Sequence, residues 1–159
     1  MPATRSRLAE RQVHSASPEA TRAVAAALAS AARPGDLIAL HGELGAGKTQ
    51  LAKGFGAGLG VTSTINSPSY VLMAEYAGRL PLFHLDLYRL EDASDALAGG
   101  LLDERQAAGV SLVEWAERLG PALPAARLDI VITGDGDEPR TIQLTATAAE
   151  LERYLDALP

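Results

Sequence analysis

Residues 42–49, GELGAGKT, constrain the fold of this chain more than any other segment. They match the pattern G-x-x-x-x-G-K-[ST], in which glycines let backbone N–H groups turn inward around phosphates. The apolar run LIALH precedes this loop and has the character of a buried strand, and residues 48–59 behind it resemble a helix that Gly60 ends. A strand, this loop and a helix in that order predict a P-loop nucleotide-binding domain.

The loop and the helix after it supply most of the nucleotide contacts that the sequence predicts. Lys48 is placed to reach the β- and γ-phosphates, and the hydroxyl of Thr49 can bind Mg²⁺. The positive end of the helix dipole points at the same phosphates. We therefore predict a nucleoside triphosphate with Mg²⁺, held by Glu43, Leu44, Gly45, Ala46, Gly47, Lys48, Thr49 and Gln50.

Two carboxylates near strand ends are candidates for binding the metal or for catalysis. Asp86 lies in LFHLDLYRL, where alternation places it on the same strand face as His84. Glu114 ends the apolar run VSLVE, and an acid at that position can hold magnesium or orient the attacking water. Either could instead be structural, Asp86 in a salt bridge with Arg89 and Glu114 as a surface residue. The sequence leaves open which of the two contacts the metal directly.

Composition bounds the class of protein. A chain of 159 residues fits one domain, and its net charge of −6 argues against a surface that binds nucleic acid by itself. Because the chain has no cysteine, disulfides, thiolate metal sites and cysteine nucleophiles are excluded. We find no secretory signal and no apolar run that approaches a membrane span, and expect a cytoplasmic protein.

The remaining apolar runs and turn residues predict strands that alternate with helices. A helix begins at the Ser17-Pro18-Glu19 cap, and further helices are expected over residues 91–108 and 148–158. Residues 70–76 with 82–88, and 128–133 with 141–145, should form two hairpins, and residues 110–113 another buried strand. Residues 1–14 are expected to form a loose N-terminal arm or an early strand. We predict an α/β fold over residues 1–159: a single three-layer P-loop NTPase domain with a mixed, mainly parallel central sheet and antiparallel hairpin additions.

Four motifs in this order resemble one protein family. They are HGELGAGKTQL, INSPSYVL, FHLDLYRLED and LVEWAERL. Together they look like the TsaE (YjeE) family of small bacterial P-loop ATPases of tRNA threonylcarbamoyladenosine biosynthesis. The resemblance covers residues 17–144, and its most specific parts are HLDLYRL and VEW.

The resemblance implies an activity, a cofactor and partners. The chain would hydrolyse ATP with Mg²⁺ to support modification of adenosine-37 in tRNA, by resetting the modifying complex between cycles. The implied partners are a TsaD-like threonylcarbamoyl transferase and its TsaB-like paralogue, and the tRNA would be contacted only through them.

The resemblance also implies roles for individual residues. By matching position, Lys48 would bind phosphates, Thr49 would bind magnesium, Asp86 would be the essential acid and Glu114 the Walker B-like acid. The switch loop that senses the γ-phosphate would be formed by Ser67, Pro68 and Ser69. The family usually has Thr at the position of Ser69, and the hydroxyl is retained here. How the adenine is held stays open between the segment before Ser17 and the second hairpin near Arg140.

Three other functions are alternatives to this one. A small-molecule P-loop kinase is the main alternative, but residues 90–108, where a lid would lie, contain Arg105 as the one arginine and are acidic. A GTPase of the N-K-x-D type is excluded because Asn66 is the only asparagine. A nucleotide-gated binding module with little catalysis overlaps with the ATPase function that the resemblance implies, since such an ATPase can be slow without its partners.

Overall fold

One mixed sheet organises residues 8–43, 45–65, 73–88 and 104–159, which are the residues that the computed structural model describes. Within them the sheet has seven strands: β1 (Ala9–Ser15), β2 (Leu37–His41), β3 (Met73–Tyr76), β4 (Leu82–Asp86), β5 (Val110–Glu114), β6 (Leu128–Thr133) and β7 (Arg140–Ala146). Their spatial order is β1-β7-β6-β2-β5-β4-β3.

The centre of the sheet is parallel and its margins are antiparallel. Strand β2 pairs in parallel with β5 and β6, and β4 pairs in parallel with β5. The pairs β1/β7, β6/β7 and β3/β4 are antiparallel. Strand β2 is apolar throughout LIAL because a central parallel strand is covered on both faces. The prediction of a mixed sheet with a parallel centre and hairpin additions is confirmed.

The two long helices pack on one face of the sheet. They are α1 (Pro18–Ala29), whose N-terminus the Ser17 hydroxyl caps by accepting from Ala20 N at 3.0 Å, and α2 (Lys48–Gly58), which follows the phosphate loop directly. Apolar residues of both helices and of the short C-terminal helix Arg153–Asp156 share one buried cluster with alternate residues of the strands. On the other face, the 3₁₀ helix Ala116–Ala122 packs against residues of β2, β4 and β5. No helix among the described residues is long and apolar enough to cross a membrane.

The expectation of a loose arm is wrong for residues 9–14, where the alternative of an early strand is what forms. Strand β1 pairs with β7 along its whole length, from Ala9 opposite Ala146 to Ser15 opposite Arg140. The Arg11 guanidinium donates to the carbonyls of Leu155 and Leu158, which fastens this edge to the C-terminal helix. The sequence signal is weak because an edge strand buries few large apolar residues.

Other predicted elements differ from the structure mainly at their bounds. The expected helix over residues 148–158 is divided into a 3₁₀ turn, Ala149–Leu151, and the helix Arg153–Asp156, as is common where a helix starts. The expected helical region 91–108 is described only from residue 104, where the 3₁₀ helix Glu104–Ala108 lies. The other residues of that region are outside the described residues, as are 70–72 of the first predicted hairpin.

The close approach of α1 and α2 makes Gly54 a sensitive position. A Cβ built on Gly54 would lie 2.5 Å from Arg22 Cα and would also overlap the Arg22 carbonyl. Because both obstacles are backbone, we expect Gly54→Ala to lower the free energy of unfolding by about 1–3 kcal/mol, typical of overpacking, despite alanine's higher helix propensity. Urea denaturation with an unchanged m-value measures this effect.

Gly56→Ala in the same helix is the matched control for that prediction. Its added methyl group would meet the end of the Ile65 side chain, which can rotate away. The gain in helix propensity is the same at both positions, so Gly56→Ala should cost clearly less than Gly54→Ala. Equal stability losses would contradict the proposed backbone contact between the helices.

Candidate nucleotide-binding site

The phosphate loop connects the carboxyl end of β2 to the N-terminus of α2. Gly45 and Gly47 have φ angles of 82° and 110°, in the left-handed region that favours glycine. Gly47 is the N-cap of α2 and carries no side chain that could cap the first turn, so the first N–H groups of α2 stay available to an anion. This is the strand–loop–helix arrangement that the sequence predicts. Leu44 lies outside the described residues.

Lys48 is the first residue of α2 and points its ammonium group into a nearly buried position. Only 8% of the residue is exposed. Its Nζ lies 4.0 Å from Glu114 Oε1 and 5.0 Å from the centre of the Trp115 ring. The ammonium is therefore held between a carboxylate and an aromatic face, beside the loop that would carry phosphates.

Glu114 ends β5 and is itself buried, with 4% of the residue exposed. Its Oε2 lies 2.8 Å from His84 Nε2, and its Oε1 faces Lys48. A carboxylate at this depth needs partners because burial without them is costly. The alternative of a surface glutamate at the strand end is therefore wrong.

Asp86 ends β4 directly beside Glu114. The two residues are partners in the register of the parallel β4/β5 pair, and Asp86 is partly exposed. One carboxylate oxygen of Asp86 accepts a hydrogen bond from Tyr88 N at 3.0 Å. The structure thus places both predicted acids at the carboxyl edge of neighbouring parallel strands.

Trp115 follows Glu114 in a left-handed conformation, with φ 59° and ψ 40°. Its ring stacks at a tilt of 55° on Tyr88, with centroids 5.0 Å apart. A left-handed backbone in a bulky residue is uncommon, and such strain concentrates at functional sites. Here it turns the indole toward Lys48 immediately after the buried carboxylate.

A cavity of about 390 Å³ adjoins the phosphate loop. It is lined by the loop at Gly45 and Gly47, by the β1–α1 junction including Ser15, and by the β6–β7 hairpin including Glu138 and Arg140. Its size falls within the range of small-molecule sites. The two segments that the sequence left open for the adenine, before Ser17 and near Arg140, therefore line the same cavity.

Arg140 links that hairpin to the phosphate loop. Its Nε donates to Ala46 O at 2.9 Å and its Nη2 to Gly45 O at 3.1 Å, while Nη2 also donates to Gly136 O at 3.0 Å. A guanidinium suits this task because its donors form a fixed planar fork. These bonds hold loop carbonyls outward, toward the hairpin.

His41, the residue before the loop, belongs to the opposite face of the sheet. Its ring nitrogens lie 3.4 Å from Asp129 Oδ1 and 3.5 Å from Glu117 Oε2. The hydrogen bond to Asp129, with the charges of both acids, raises the pKa of His41 against the opposing effects of burial and of Arg127. Because Leu40 faces the helices, His41 points away from α2, and we assign it no nucleotide contact.

Comparison with known proteins identifies the family. The profile described as "Threonylcarbamoyl adenosine biosynthesis protein TsaE" matches residues 15–142. The chain belongs to the TsaE family. The tRNA threonylcarbamoyladenosine biosynthesis protein TsaE of Bacillus subtilis is 46% identical over 142 residues, covering 89% of each chain. The protein of the same name from Streptomyces coelicolor is 40% identical over 125 residues, 74% of this chain and 84% of that one.

A solved structure agrees in fold with this TsaE family member. The crystal structure of YdiB from Bacillus subtilis superposes with a TM-score of 0.81, at 38% identity over 94% of both chains. The likeness thus extends over almost the whole chain.

The structure brings some of the positions that match TsaE motifs together at one edge of the sheet. Lys48, Glu114 and Asp86 come together at the carboxyl edge of the sheet, and Thr49 follows Lys48 in the first turn of α2. Among the other predicted nucleotide contacts, Gln50 lines the cavity, Ala46 is buried and Glu43 is exposed. The switch-loop residues Ser67, Pro68 and Ser69 lie outside the described residues.

Two contributors to the site were not among the predicted residues. Alternation predicts that His84 shares a strand face with Asp86, but the contact of His84 with Glu114 depends on the β4/β5 register. The sequence offers the hairpin near Arg140 as one of two segments that could hold the adenine, but the bonds of Arg140 to the phosphate loop join residues 94 and 95 positions apart in sequence. No local pattern carries such information.

Proposed function

We propose that this chain binds Mg-ATP at the phosphate loop and hydrolyses it. The observation that carries the proposal is the buried pair of Lys48 and Glu114 directly behind the loop, with 4.0 Å between Nζ and Oε1. A cation for phosphates and an acid for metal or water at that position are what ATP hydrolysis on a P-loop requires.

The residues present fit the phosphates and the metal. Lys48 would bind the β- and γ-phosphates with the N–H groups of the loop, and Thr49 would bind Mg²⁺ together with Asp86 or Glu114. The bound ion supplies positive charge that neutralises the phosphate oxygens. The cavity lined by Ser15 and Arg140, among others, is the place that we propose for the adenine.

Hydrolysis needs a group that orients water for attack on the γ-phosphorus, opposite the leaving ADP oxygen. Glu114 is our candidate, because its Oε1 is not engaged by His84 and faces the loop side of the sheet edge. A buried carboxylate in this position can accept a proton from the attacking water. Asp86 next to it supplies a second carboxylate for the metal.

We further propose that ATP turnover supports tRNA threonylcarbamoyladenosine formation, resetting a complex of a TsaD-like transferase and its TsaB-like paralogue between cycles. Support comes from the family and from relatives that are named for this pathway. The net charge of −6 suits a protein that works through partners that hold the tRNA, in the cytoplasm.

The test combines the purified chain, Mg-ATP, tRNA and an activated threonylcarbamoyl donor, with and without the TsaD-like and TsaB-like proteins. We expect release of inorganic phosphate that the partners stimulate, and tRNA modification beyond one turnover only when this chain and ATP are present. A phosphorylated small molecule in place of free phosphate would support a small-molecule kinase instead. Multiple-turnover modification without this chain would refute the resetting role.

A further inference from the structure

A buried histidine on β4 contacts the acid that we assign to hydrolysis. His84 is 0% exposed, and its Nε2 lies 2.8 Å from Glu114 Oε2. Within the described residues, its other ring nitrogen, Nδ1, has no hydrogen-bond partner. Among the described residues, Glu114 is therefore the hydrogen-bond partner of this ring.

The direction of this hydrogen bond follows from the chemistry of its two ends. The base role that we assign to Glu114 requires a carboxylate that only accepts hydrogen bonds, which makes Nε2–H of His84 the donor in this contact. In metal sites, an imidazole or carboxylate bound in this way is held in one orientation by its partner. His84 thus restrains the side chain of Glu114 from the β4 side.

This restraint divides the two oxygens of Glu114 between different tasks. Oε2 is engaged by His84, while Oε1 stays 4.0 Å from Lys48 Nζ, a separation longer than a hydrogen bond. Without His84, the carboxylate could swing onto the ammonium and form a direct ion pair. Such a pair would occupy the group that should bind phosphates and the oxygen that should orient water.

Filling space in the core does not account for this residue. The strand neighbours of His84 are Ala74 on β3 and Leu112 on β5, so an apolar side chain would suit the position. A ring nitrogen buried without a partner is costly compared with an apolar side chain of similar size. An apolar residue at this position could not make the contact with Glu114, and this contact is therefore what the histidine adds.

We propose that His84 is a positioning residue that fixes the Glu114 carboxylate and keeps it apart from Lys48. This inference rests on the proposed function, because it concerns the same phosphate site. It predicts that His84 acts through Glu114, so the two residues should be strongly non-additive when both are replaced.

The experiment is a double-mutant cycle of His84→Leu and Glu114→Ala, with two measurements. One is kcat for Mg-ATP hydrolysis, and the other is the Kd of a non-hydrolysable ATP analogue by calorimetry. In the wild-type background we expect His84→Leu to lower kcat by about 10- to 100-fold, the usual effect of losing such a supporting contact, and to raise Kd several-fold. In the Glu114→Ala background, where the hydrogen bond is already absent, His84→Leu should change either quantity by less than about twofold.

Conservative variants separate hydrogen bonding from packing. The amide nitrogen of His84→Gln lies near the position of Nε2 and should retain most of kcat. His84→Asn keeps an amide but is too short to reach Glu114, and should resemble His84→Leu. If His84→Leu does not fold, the comparison of Gln with Asn tests the same contact.

Each failure has its own signature. Equal losses from His84→Leu in both backgrounds, or a wild-type kcat in His84→Leu, would overturn the positioning role. Equal defects in His84→Gln and His84→Asn would overturn it as well. If the wild-type protein neither binds the analogue nor hydrolyses Mg-ATP, the proposed function fails first, independently of His84.

Discussion

Glu114→Gln is expected to lower kcat for ATP hydrolysis by about 100-fold or more, the range attributed to a positioned general base. Glutamine keeps the size of the side chain and can still accept from His84, but it cannot take a proton from water or lend charge to a metal. Because Lys48 and the loop remain, the Kd of a non-hydrolysable ATP analogue should change by only a few-fold. Steady-state phosphate release at saturating ATP measures kcat, and calorimetry measures the Kd.

Glu75→Gln is the matched control for the loss of a glutamate charge. Glu75 lies on β3 with its side chain exposed, in the same sheet but away from the phosphate loop. The Glu75→Gln variant should hydrolyse ATP at the wild-type rate. A Glu114→Gln protein that also turned over at that rate would remove Glu114 from the mechanism.

Lys48→Ala should have the second large effect, a loss of nucleotide affinity. An ammonium group that binds phosphate contributes about 1.5–3 kcal/mol per charged hydrogen bond, which corresponds to a Kd roughly 10- to 100-fold higher in the variant. Folding should survive, because Glu114 keeps its hydrogen bond to His84 when Lys48 is removed. Calorimetric titration with the ATP analogue measures the change.

Lys53→Ala provides the comparison for this variant. Lys53 is in the same helix, is also a lysine, and does not line the cavity beside the loop. Its replacement should leave the affinity for the analogue unchanged. Equal affinities of Lys48→Ala and wild type would show that the phosphates are bound elsewhere.

The parts of this molecule that the sequence predicts are those with local causes. The loop, β2 and α2 follow from a glycine pattern and an apolar run, and the Ser17 cap marks the start of α1. Glu114 and Asp86 follow from the rule that acids at strand ends meet at one sheet edge. These features require only short stretches of chain.

The parts that sequence reasoning missed depend on contacts between distant segments. Strand β1 carries few large apolar residues and is fixed by its pairing with β7 and by the bonds of Arg11. The tasks of His84 and Arg140 appear only when strand register and the hairpin are known. A sequence pattern lists the side chains of such residues but not their partners.

The pairing of Ser15 with Arg140 across β1 and β7 has a consequence for local opening of the folded protein. Both residues line the cavity beside the phosphate loop, so the cavity is closed by one of the least local pairings in the chain. Such contacts carry a large loop-closure entropy, and an edge strand can open while the core stays folded. A ligand in the cavity would then slow hydrogen exchange in β1 more than in the buried parallel strands. Hydrogen exchange in β1, which pairs with a strand far away in sequence, would therefore report whether the site is occupied.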